Sequence, residues 1–253
     1  NAIALLAREN VPDEVVYLIL GTLQFSEELL RTYAHPDLLK VAEAINGEDF
    51  VPFTEALFIK EPGIGASVAW HRDGTTHWDS PDFDEGTHGF NFMAQLYGCT
   101  SANGVWVVPG SHKERYVDIA DMVTRAGSER IEEAIPMICN PGDVVISNRQ
   151  AVHGSFANTS SDWRITINQG FHRRKSVLGV KGGGLHGKPA VYDAERIIER
   201  SKIIKLAIEA RKQRFPHEQA FEYKPLSAST EDFTWNAAAR KSLHDYNLLD
   251  LSI

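Results

Sequence analysis

Two histidines and an aspartate constrain the fold of this chain more than any other feature. His71 and Asp73 are separated by one residue, and His153 follows far downstream in the segment 151–155. On an extended strand residues i and i+2 point to the same face, so His71 and Asp73 can bind one ion while Arg72 points away. Two histidines and one carboxylate form the facial triad that leaves three positions of a six-coordinate iron(II) open. His153 must then come from a neighbouring strand, which predicts a barrel-like sheet around a metal site.

An arginine on the next predicted strand adds a second functional group. Arg164 lies in the strand-like segment 163–167. Its guanidinium can clamp a carboxylate with two parallel hydrogen bonds. An oxoacid cosubstrate bound beside the metal would require such a clamp.

Strand patterns separated by turn signals fill the middle of the chain. They cover residues 51–60, a strand carrying His71, then 90–97, 105–108, 144–147, a strand carrying His153, and 163–171. Helices do not alternate with these strands, as they would in a parallel α/β fold. We predict a mainly β fold with helical additions, namely a double-stranded β-helix (jelly roll, cupin-like).

Helical patterns flank this core on both sides. We predict one domain over residues 1–253, with N-terminal helices in 12–46, a jelly-roll core over about 51–175 and a C-terminal helical extension over 181–253. Further predicted elements are a helix over 117–134, a flexible glycine link at 182–184, and helices over 193–215 and 231–247. The helix over 193–215 carries a stripe of isoleucines, Ile197, Ile198, Ile204 and Ile208. The C-terminal helices are the predicted surface for any homo-oligomer.

One face of the strand at 90–97 is polar. Asn91, Met93 and Gln95 share that face by alternation. Buried polar groups need partners, so Asn91 and Gln95 are predicted to contact the cosubstrate or substrate. By the same alternation Lys60 lies on the opposite face of its strand from Ile59, which argues against a cosubstrate role for it.

Residues 74–89 have neither helical nor strand periodicity, and they begin directly after Asp73. A loop of this length in a compact domain is usually a lid or binding loop. We predict that it lies over the open metal positions; the side chains predicted near a substrate are Thr75, His77, Trp78 and Met93. Four acidic residues in the loop favour neutral or cationic substrates.

Charge and composition narrow the partners. The net charge is −8, from 34 acidic and 26 basic residues, which argues against nucleic acid and anionic membranes as partners. No run approaches the roughly 18 apolar residues of a membrane span. Cys99 and Cys139 are the only cysteines, too few for a disulfide framework, and we read them as small buried hydrophobic residues. These features predict a cytoplasmic protein.

The order of these elements resembles the phytanoyl-CoA dioxygenase-like family of iron(II)/2-oxoglutarate oxygenases. The shared features are His71-x-Asp73, Asn103-Gly104, Pro109-Gly110-Ser111-His112, His153-x-Ser155 and Arg164, within roughly residues 35–175. The resemblance implies that His71, Asp73 and His153 hold iron(II). It further implies that Arg164 and Ser155 bind the distal carboxylate of 2-oxoglutarate, and that O2 is the oxidant, with succinate and CO2 released.

Several residues are interpreted through this resemblance. The family places its Pro-Gly-Ser-His segment outside the iron site, so His112 is predicted to be structural. Arg72 stands where the family often has glutamine. Related halogenases lack the carboxylate of the triad, so the presence of Asp73 favours hydroxylation or another oxidation.

Two alternatives remain at this point. A cupin-like metal enzyme of another class would need the triad but neither Arg164 nor Ser155. A barrel that only binds a ligand would be expected to lose the triad.

Overall fold

The computed structural model describes residues 26–63, 67–73, 86–183 and 189–243. The chain forms two compact units, which are described separately. The first unit comprises residues 1–16, 56–79 and 90–168, and the second comprises 17–55, 80–89 and 169–253. The prediction of a single domain over the whole chain stays a prediction.

Ten strands and six α-helices are described. The strands are β1 (Phe50–Lys60), β2 (Val68–His71), β3 (Gly89–Gln95), β4 (Val105–Val107), β5 (Ile135–Pro136), β6 (Val144–Asn148), β7 (His153–Ser155), β8 (Arg164–Arg173), β9 (Lys181–Gly183) and β10 (Pro189–Val191). The helices are α1 (Glu27–Thr32), α2 (Pro36–Asn46), α3 (Ile119–Ala126), α4 (Arg174–Val177), α5 (Ala194–Arg214) and α6 (Ala237–Ser242). Short 3₁₀ turns occupy Ser111–Lys113 and Lys224–Leu226.

The first eight strands form two four-stranded sheets. Their orders are β1-β8-β3-β6 and β2-β7-β4-β5. The pairs β2–β7, β4–β7, β4–β5 and β3–β6 are antiparallel. Successive strands alternate between the two sheets through most of the chain order, which is the connectivity of a jelly roll. The predicted fold class is confirmed.

The first unit has a hydrophobic cluster outside its β2-containing sheet. Val108, Ile131, Ala134 and Val152 are buried in it, with Trp70 and Trp106 among the residues packed against them. The helix predicted over 117–134 is wrong in length, because α3 ends at Ala126. Gly127 follows with φ 61°, a left-handed conformation that glycine adopts without a Cβ clash and that ends the helix.

The second unit is organised around α5. Asp193 caps this helix by accepting a hydrogen bond from the Arg196 N–H, in agreement with the predicted start. Ile197, Ile204 and Ile208 of the predicted stripe are buried, but Ile198 is exposed. Ile197 packs in a cluster of the same unit with Val51, Phe53, Val177 and Tyr192. Ile198 was wrongly included in the stripe.

Three further predictions fall in or near this unit. Residues 182–183 of the predicted flexible link instead belong to β9, which pairs antiparallel with β10. Helix α6 covers only part of the predicted 231–247 helix, and the residues from 244 onward lie outside the described part of the chain. Residues 12–25 of the predicted N-terminal helices also lie outside it. Among the described residues, no helix combines the length and apolar character that a membrane crossing requires.

Candidate metal centre

The pairing of β2 with β7 brings the two histidines together. His71 lies opposite His153 in this antiparallel register, with an irregularity between Val68 and His71. Their ring centroids are 4.2 Å apart. The predicted neighbouring strand for His153 is therefore β7, and both imidazoles project from the same position along the sheet.

Asp73 completes the group, although it lies beyond the end of β2. Its backbone N–H donates a hydrogen bond to the Arg149 carbonyl at 2.9 Å, which fixes the chain at this point. The carboxylate oxygens lie 3.4 Å from His71 Nε2 and 3.8 Å from His153 Nε2. One ligand atom from each of the three residues lies within 4.8 Å of the others, so the trio could hold one metal ion.

The imidazoles are oriented by backbone carbonyls two residues earlier. His71 Nδ1 is 2.7 Å from the Ala69 carbonyl oxygen, and His153 Nδ1 is 3.0 Å from the Ala151 carbonyl oxygen. Because a carbonyl can only accept, each Nδ1 donates, and in a neutral imidazole the Nε2 lone pair is then available to a metal. Such second contacts fix the tautomer and orientation of metal-binding histidines. The arrangement therefore suits two neutral Nε2 ligands.

A polar chain behind Asp73 holds its carboxylate. Asn91 Nδ2 donates to Asp73 Oδ2 at 3.3 Å, and the side-chain oxygen Asn91 Oδ1 accepts from Arg149 Nη1 at 3.1 Å. The side chains of Asn91 and Arg149 are buried. Sequence reasoning missed Arg149, because it assigned residues 148–149 to a turn, and it expected Asn91 to touch the cosubstrate or substrate.

Charges around the trio set the protonation states. Burial would raise the pKa of Asp73, but the positive charge of Arg149 and the hydrogen bond with His71 hold it well below its usual range. Burial lowers the pKa of His153. Burial acts in the same direction on His71, but the hydrogen bond and charge of Asp73 outweigh it, and the pKa of His71 is raised. A carboxylate and a neutral His153 are thus present at neutral pH.

Lys60 and Arg164 are two buried cations close enough for their charges to interact. Lys60 contacts Ser155, which follows His153 on the same face of β7. Lys60 Nζ donates to Ser155 Oγ at 2.8 Å and to the Phe156 carbonyl at 2.5 Å. Burial and the nearby charge of Arg164 together lower the pKa of Lys60 to about 8. Burial lowers the pKa of Arg164 to about 10. Both groups are still cationic at pH 7.

Neutral groups, rather than carboxylates, hold Arg164. Its Nε donates to Thr166 Oγ1 at 3.2 Å, and the Thr166 hydroxyl donates to Gln95 Oε1 at 2.7 Å. Gln95 thus reaches Arg164 through Thr166. Within the part of the chain that is described, neither Lys60 nor Arg164 forms an ion pair with a carboxylate. Both donate hydrogen bonds to uncharged hydroxyl or carbonyl oxygens.

The remaining predicted residues fall into two groups. Met93 is buried on the same strand as Asn91 and Gln95. Thr75, His77 and Trp78, with residues 74–85 of the predicted lid, lie outside the described residues. His112 lies on the 3₁₀ turn Ser111–Lys113. It is not part of the trio of His71, Asp73 and His153, which is the one possible metal-binding group among the described residues.

The guanidinium of Arg72 is held by backbone carbonyls, in agreement with the prediction that it points away from the trio, although β2 ends one residue earlier. Its guanidinium donates to the carbonyls of Gln150 and Glu114, each at 2.7 Å, and to those of Arg115 and Ser111 at 3.1 and 3.4 Å. It therefore ties the segment after β4 to the segment before β7.

Lys60 is the second functional candidate that sequence reasoning missed. Alternation set it apart from Ile59, but the structure leaves Ile59 only partly buried and Lys60 5% exposed. The inward face of this end of β1 is thus the face that carries the lysine. The sequence did contain a lysine at the end of one predicted strand and the His-x-Ser segment on another. Only the sheet order, however, shows which face of β1 points inward.

Comparisons with known proteins agree with this geometry. The family model described as phytanoyl-CoA dioxygenase (PhyH) matches residues 13–166. The dioxygenase lolE1 of Epichloe uncinata is 31% identical over 144 residues, which is 56% of this chain and 50% of that protein. Phytanoyl-CoA dioxygenase 1 of Oryza sativa subsp. japonica is 30% identical over 109 residues, which is 40% of this chain and 37% of that protein.

Among solved structures, that of EvdMO1 matches with a TM-score of 0.45 and 32% identity, covering 55% of this chain and 30% of that one. The chain spans half or less of the length of the curated relatives it matches. The family match confirms the predicted resemblance. Because the matched region is more than half of its length, this chain belongs to the phytanoyl-CoA dioxygenase family.

Proposed function

We propose that this chain is an iron(II)- and 2-oxoglutarate-dependent dioxygenase that oxidises a C–H bond of a small organic molecule. The observation that carries the proposal is a metal-binding trio next to two buried cations that have no carboxylate partner among the described residues. A ligand that chelates a metal and also carries a distal carboxylate can bind the metal at the trio and neutralise the two cations.

The donor set fits iron(II). His71 and His153 offer Nε2 lone pairs, and Asp73 offers a carboxylate held ionised by Arg149. Two imidazoles and one carboxylate with further positions open are typical of non-haem iron(II) oxygenases. The contacts from Asn91 and from the two backbone carbonyls restrain these ligands before the metal binds, and such contacts typically change metal affinity 10- to 100-fold.

The cation pair fits the distal carboxylate of 2-oxoglutarate. Burying a charge without a partner is costly, so a pocket with two buried cations favours an anion. Lys60 and Ser155 can donate to one carboxylate, and the nearby guanidinium of Arg164 can donate to it as well. His153 and Ser155 share one face of β7, and two residues of a strand span about 6.6 Å. That separation suits a five-carbon diacid reaching from the metal to the cations.

The bound cofactors would supply the oxidation: the substrate C–H, O2 and 2-oxoglutarate are converted to C–OH, succinate and CO2. The chain's own residues hold the metal, anchor and neutralise the cosubstrate, and keep the cation pocket dry. Asp73 occupies a metal position that halogenases of this kind leave for chloride, which supports hydroxylation or a related oxidation as the outcome.

We further propose a class of substrate and a cellular compartment. The acidic segment 74–89 supports a neutral or cationic small molecule rather than a highly anionic thioester. Two free thiols, Cys99 and Cys139, support a reducing compartment such as the cytoplasm.

The test is an anaerobic titration of metal-free protein with iron(II) and then 2-oxoglutarate, followed by the visible charge-transfer band of the chelate. We expect the band in the wild type and a higher 2-oxoglutarate requirement in Arg164→Ala. Arg125→Ala is the matched control, because Arg125 is exposed and pairs only with surface carboxylates. If iron binds without any band, the 2-oxoglutarate assignment is wrong and a cupin-like metal enzyme of another class replaces it.

A further inference from the structure

The two cysteines face each other across an isolated antiparallel bridge. The Cys99 N–H donates to the Cys139 carbonyl at 2.9 Å, and the Cys139 N–H donates to the Cys99 carbonyl at 3.0 Å. Their Sγ atoms are 3.1 Å apart, and both thiols are free. A pair that exchanges both backbone hydrogen bonds has a Cα separation of about 5.5 Å. That separation lies inside the range of about 4.4 to 6.8 Å that disulfides require.

The surrounding backbone holds the pair in this position. Gly98 has φ 77°, and a Cβ added to it would lie 2.7 Å from the Cys139 carbonyl oxygen. A Cβ added to Gly104 would lie 2.6 Å from the Thr100 carbonyl oxygen and 3.3 Å from Cys99 Cβ. Two glycines thus allow the backbone to pass closely around the thiols. The sulfur atoms need to approach by only about 1 Å to reach the bonded distance of about 2.05 Å.

We propose that Cys99 and Cys139 form a dithiol modification site that hydrogen peroxide converts to an intramolecular disulfide. One thiol is oxidised to a sulfenic acid as the peroxide O–O bond breaks and one water leaves. The second thiol attacks that sulfur, the S–S bond forms and the sulfenic oxygen leaves as a second water. The two thiols lose two protons and two electrons in total, and the peroxide gains them. This inference is independent of the proposed oxygenase function.

The cross-link would restrain a segment that supports the metal site. It would close the loop between residues 40 positions apart in the sequence, and that loop contains β4. Val107 of β4 pairs with His153 of β7. The resulting loss of unfolded-state entropy should raise the melting temperature on the order of 5 to 10 °C.

The chemistry of the thiols sets the conditions for oxidation. Cys99 is buried, whereas Cys139 is partly accessible to solvent. Burial, followed by the hydrogen bond with Cys99, raises the pKa of the Cys139 thiol to about 12. Since the thiolate is the reactive form, oxidation should be slow at pH 7 and faster at pH 9.

The experiment treats the full chain, freed of metal so that iron does not decompose the oxidant, with hydrogen peroxide. Thiols are then counted under denaturing conditions, the intact mass is measured, and melting is followed with and without dithiothreitol. We expect both thiols to be lost together, with a mass decrease of two hydrogens, a peptide cross-link between Cys99 and Cys139, and a rise in melting temperature that dithiothreitol reverses. Cys139→Ser should show no such rise.

Three results would overturn the proposal. They are both thiols surviving at pH 9, oxygen added to the sulfurs without a cross-link, and an equal melting rise in Cys139→Ser. If that variant does not fold, the reversal by dithiothreitol in the wild type and the cross-linked peptide decide the matter on their own.

Discussion

Replacing Lys60 with methionine should separate the effect of this buried cation on the free energy of unfolding from its contribution to binding 2-oxoglutarate. Methionine has a similar length and no charge, so the change removes the ammonium without opening a large cavity. The pKa of Lys60 falls from 10.5 to about 8, mainly through burial. This difference corresponds to about 3 kcal/mol against the charged form, which solvent screening reduces to about 2 kcal/mol. Loss of the hydrogen bonds to Ser155 and Phe156 offsets about 1 kcal/mol.

The expected stability effect depends on pH in a defined direction. Below pH 8 Lys60 is protonated in both the folded and unfolded states, so the penalty is fully present. Between pH 8 and 10.5 the folded state binds fewer protons than the unfolded state, and the penalty is relieved as pH rises. At pH 7 metal-free Lys60→Met should therefore equal the wild type in free energy of unfolding or exceed it by about 1 kcal/mol. This advantage should shrink by pH 10.

Lys60→Met should weaken the binding of 2-oxoglutarate even though it does not weaken the fold. A hydrogen bond from an ammonium to a carboxylate contributes about 1.5 to 3 kcal/mol, so Lys60→Met should raise the Kd for 2-oxoglutarate roughly 10- to 100-fold. Urea unfolding of metal-free protein at pH 7 and pH 10 measures the first effect. Titration of the iron-loaded protein with 2-oxoglutarate measures the second.

An exposed lysine in the same unit provides the control. Lys113→Met should change neither the free energy of unfolding nor the Kd for 2-oxoglutarate, because the side chain is exposed. A loss of about 2 kcal/mol or more in Lys60→Met at pH 7, together with an unchanged Kd, would refute the reasoning. Lys60 would then be a structural residue that stabilises the end of β7.

Three further substitutions test the metal centre and its surroundings. Asp73→Gly should abolish substrate oxidation in an assay of the iron-loaded protein, and full activity in this variant would remove Asp73 from the ligand set. Asn91→Ala should raise the Kd for iron(II) about 10-fold in a competition titration, because it removes a contact that orients Asp73. Arg72→Met should lower the free energy of unfolding by about 3 kcal/mol in urea, because carbonyls lose charged donors. Its iron stoichiometry should remain that of the wild type, since Arg72 points away from the metal-binding trio.

The metal-binding trio could be predicted from the sequence because its geometry depends on local rules. The i, i+2 spacing places His71 and Asp73 on one side of an extended segment whatever the sheet order. The structure departs from this picture in one respect: β2 ends at His71, and a backbone hydrogen bond to Arg149 positions Asp73 instead. That contact joins residues far apart in sequence. No local pattern could have indicated it.

The fold class was predictable for a related reason, whereas the strand partners were not. Seven or eight short strands without intervening helices allow few architectures, so the jelly roll followed from counting them. The sheet order β1-β8-β3-β6 determines which strands surround the site. It sets the side of β1 that faces inward, and hence the burial of Lys60. Alternation alone divides a strand into two faces without saying which one is buried.

The chain as a whole is negatively charged, whereas the candidate site contains buried cations. The chain carries a net charge of −8, and its acidic loop sequence favours neutral or cationic substrates. Yet Lys60, Arg149 and Arg164 are each 5% exposed or less within the first unit. Arg149 lies close enough to Asp73 to keep that carboxylate ionised, whereas Lys60 and Arg164 contact only neutral groups among the described residues. An anion is therefore expected at the cation pair however acidic the surface is, because the cost of an unpaired charge rises with burial. Surface charge then bears on the substrate, and buried charge on the cosubstrate.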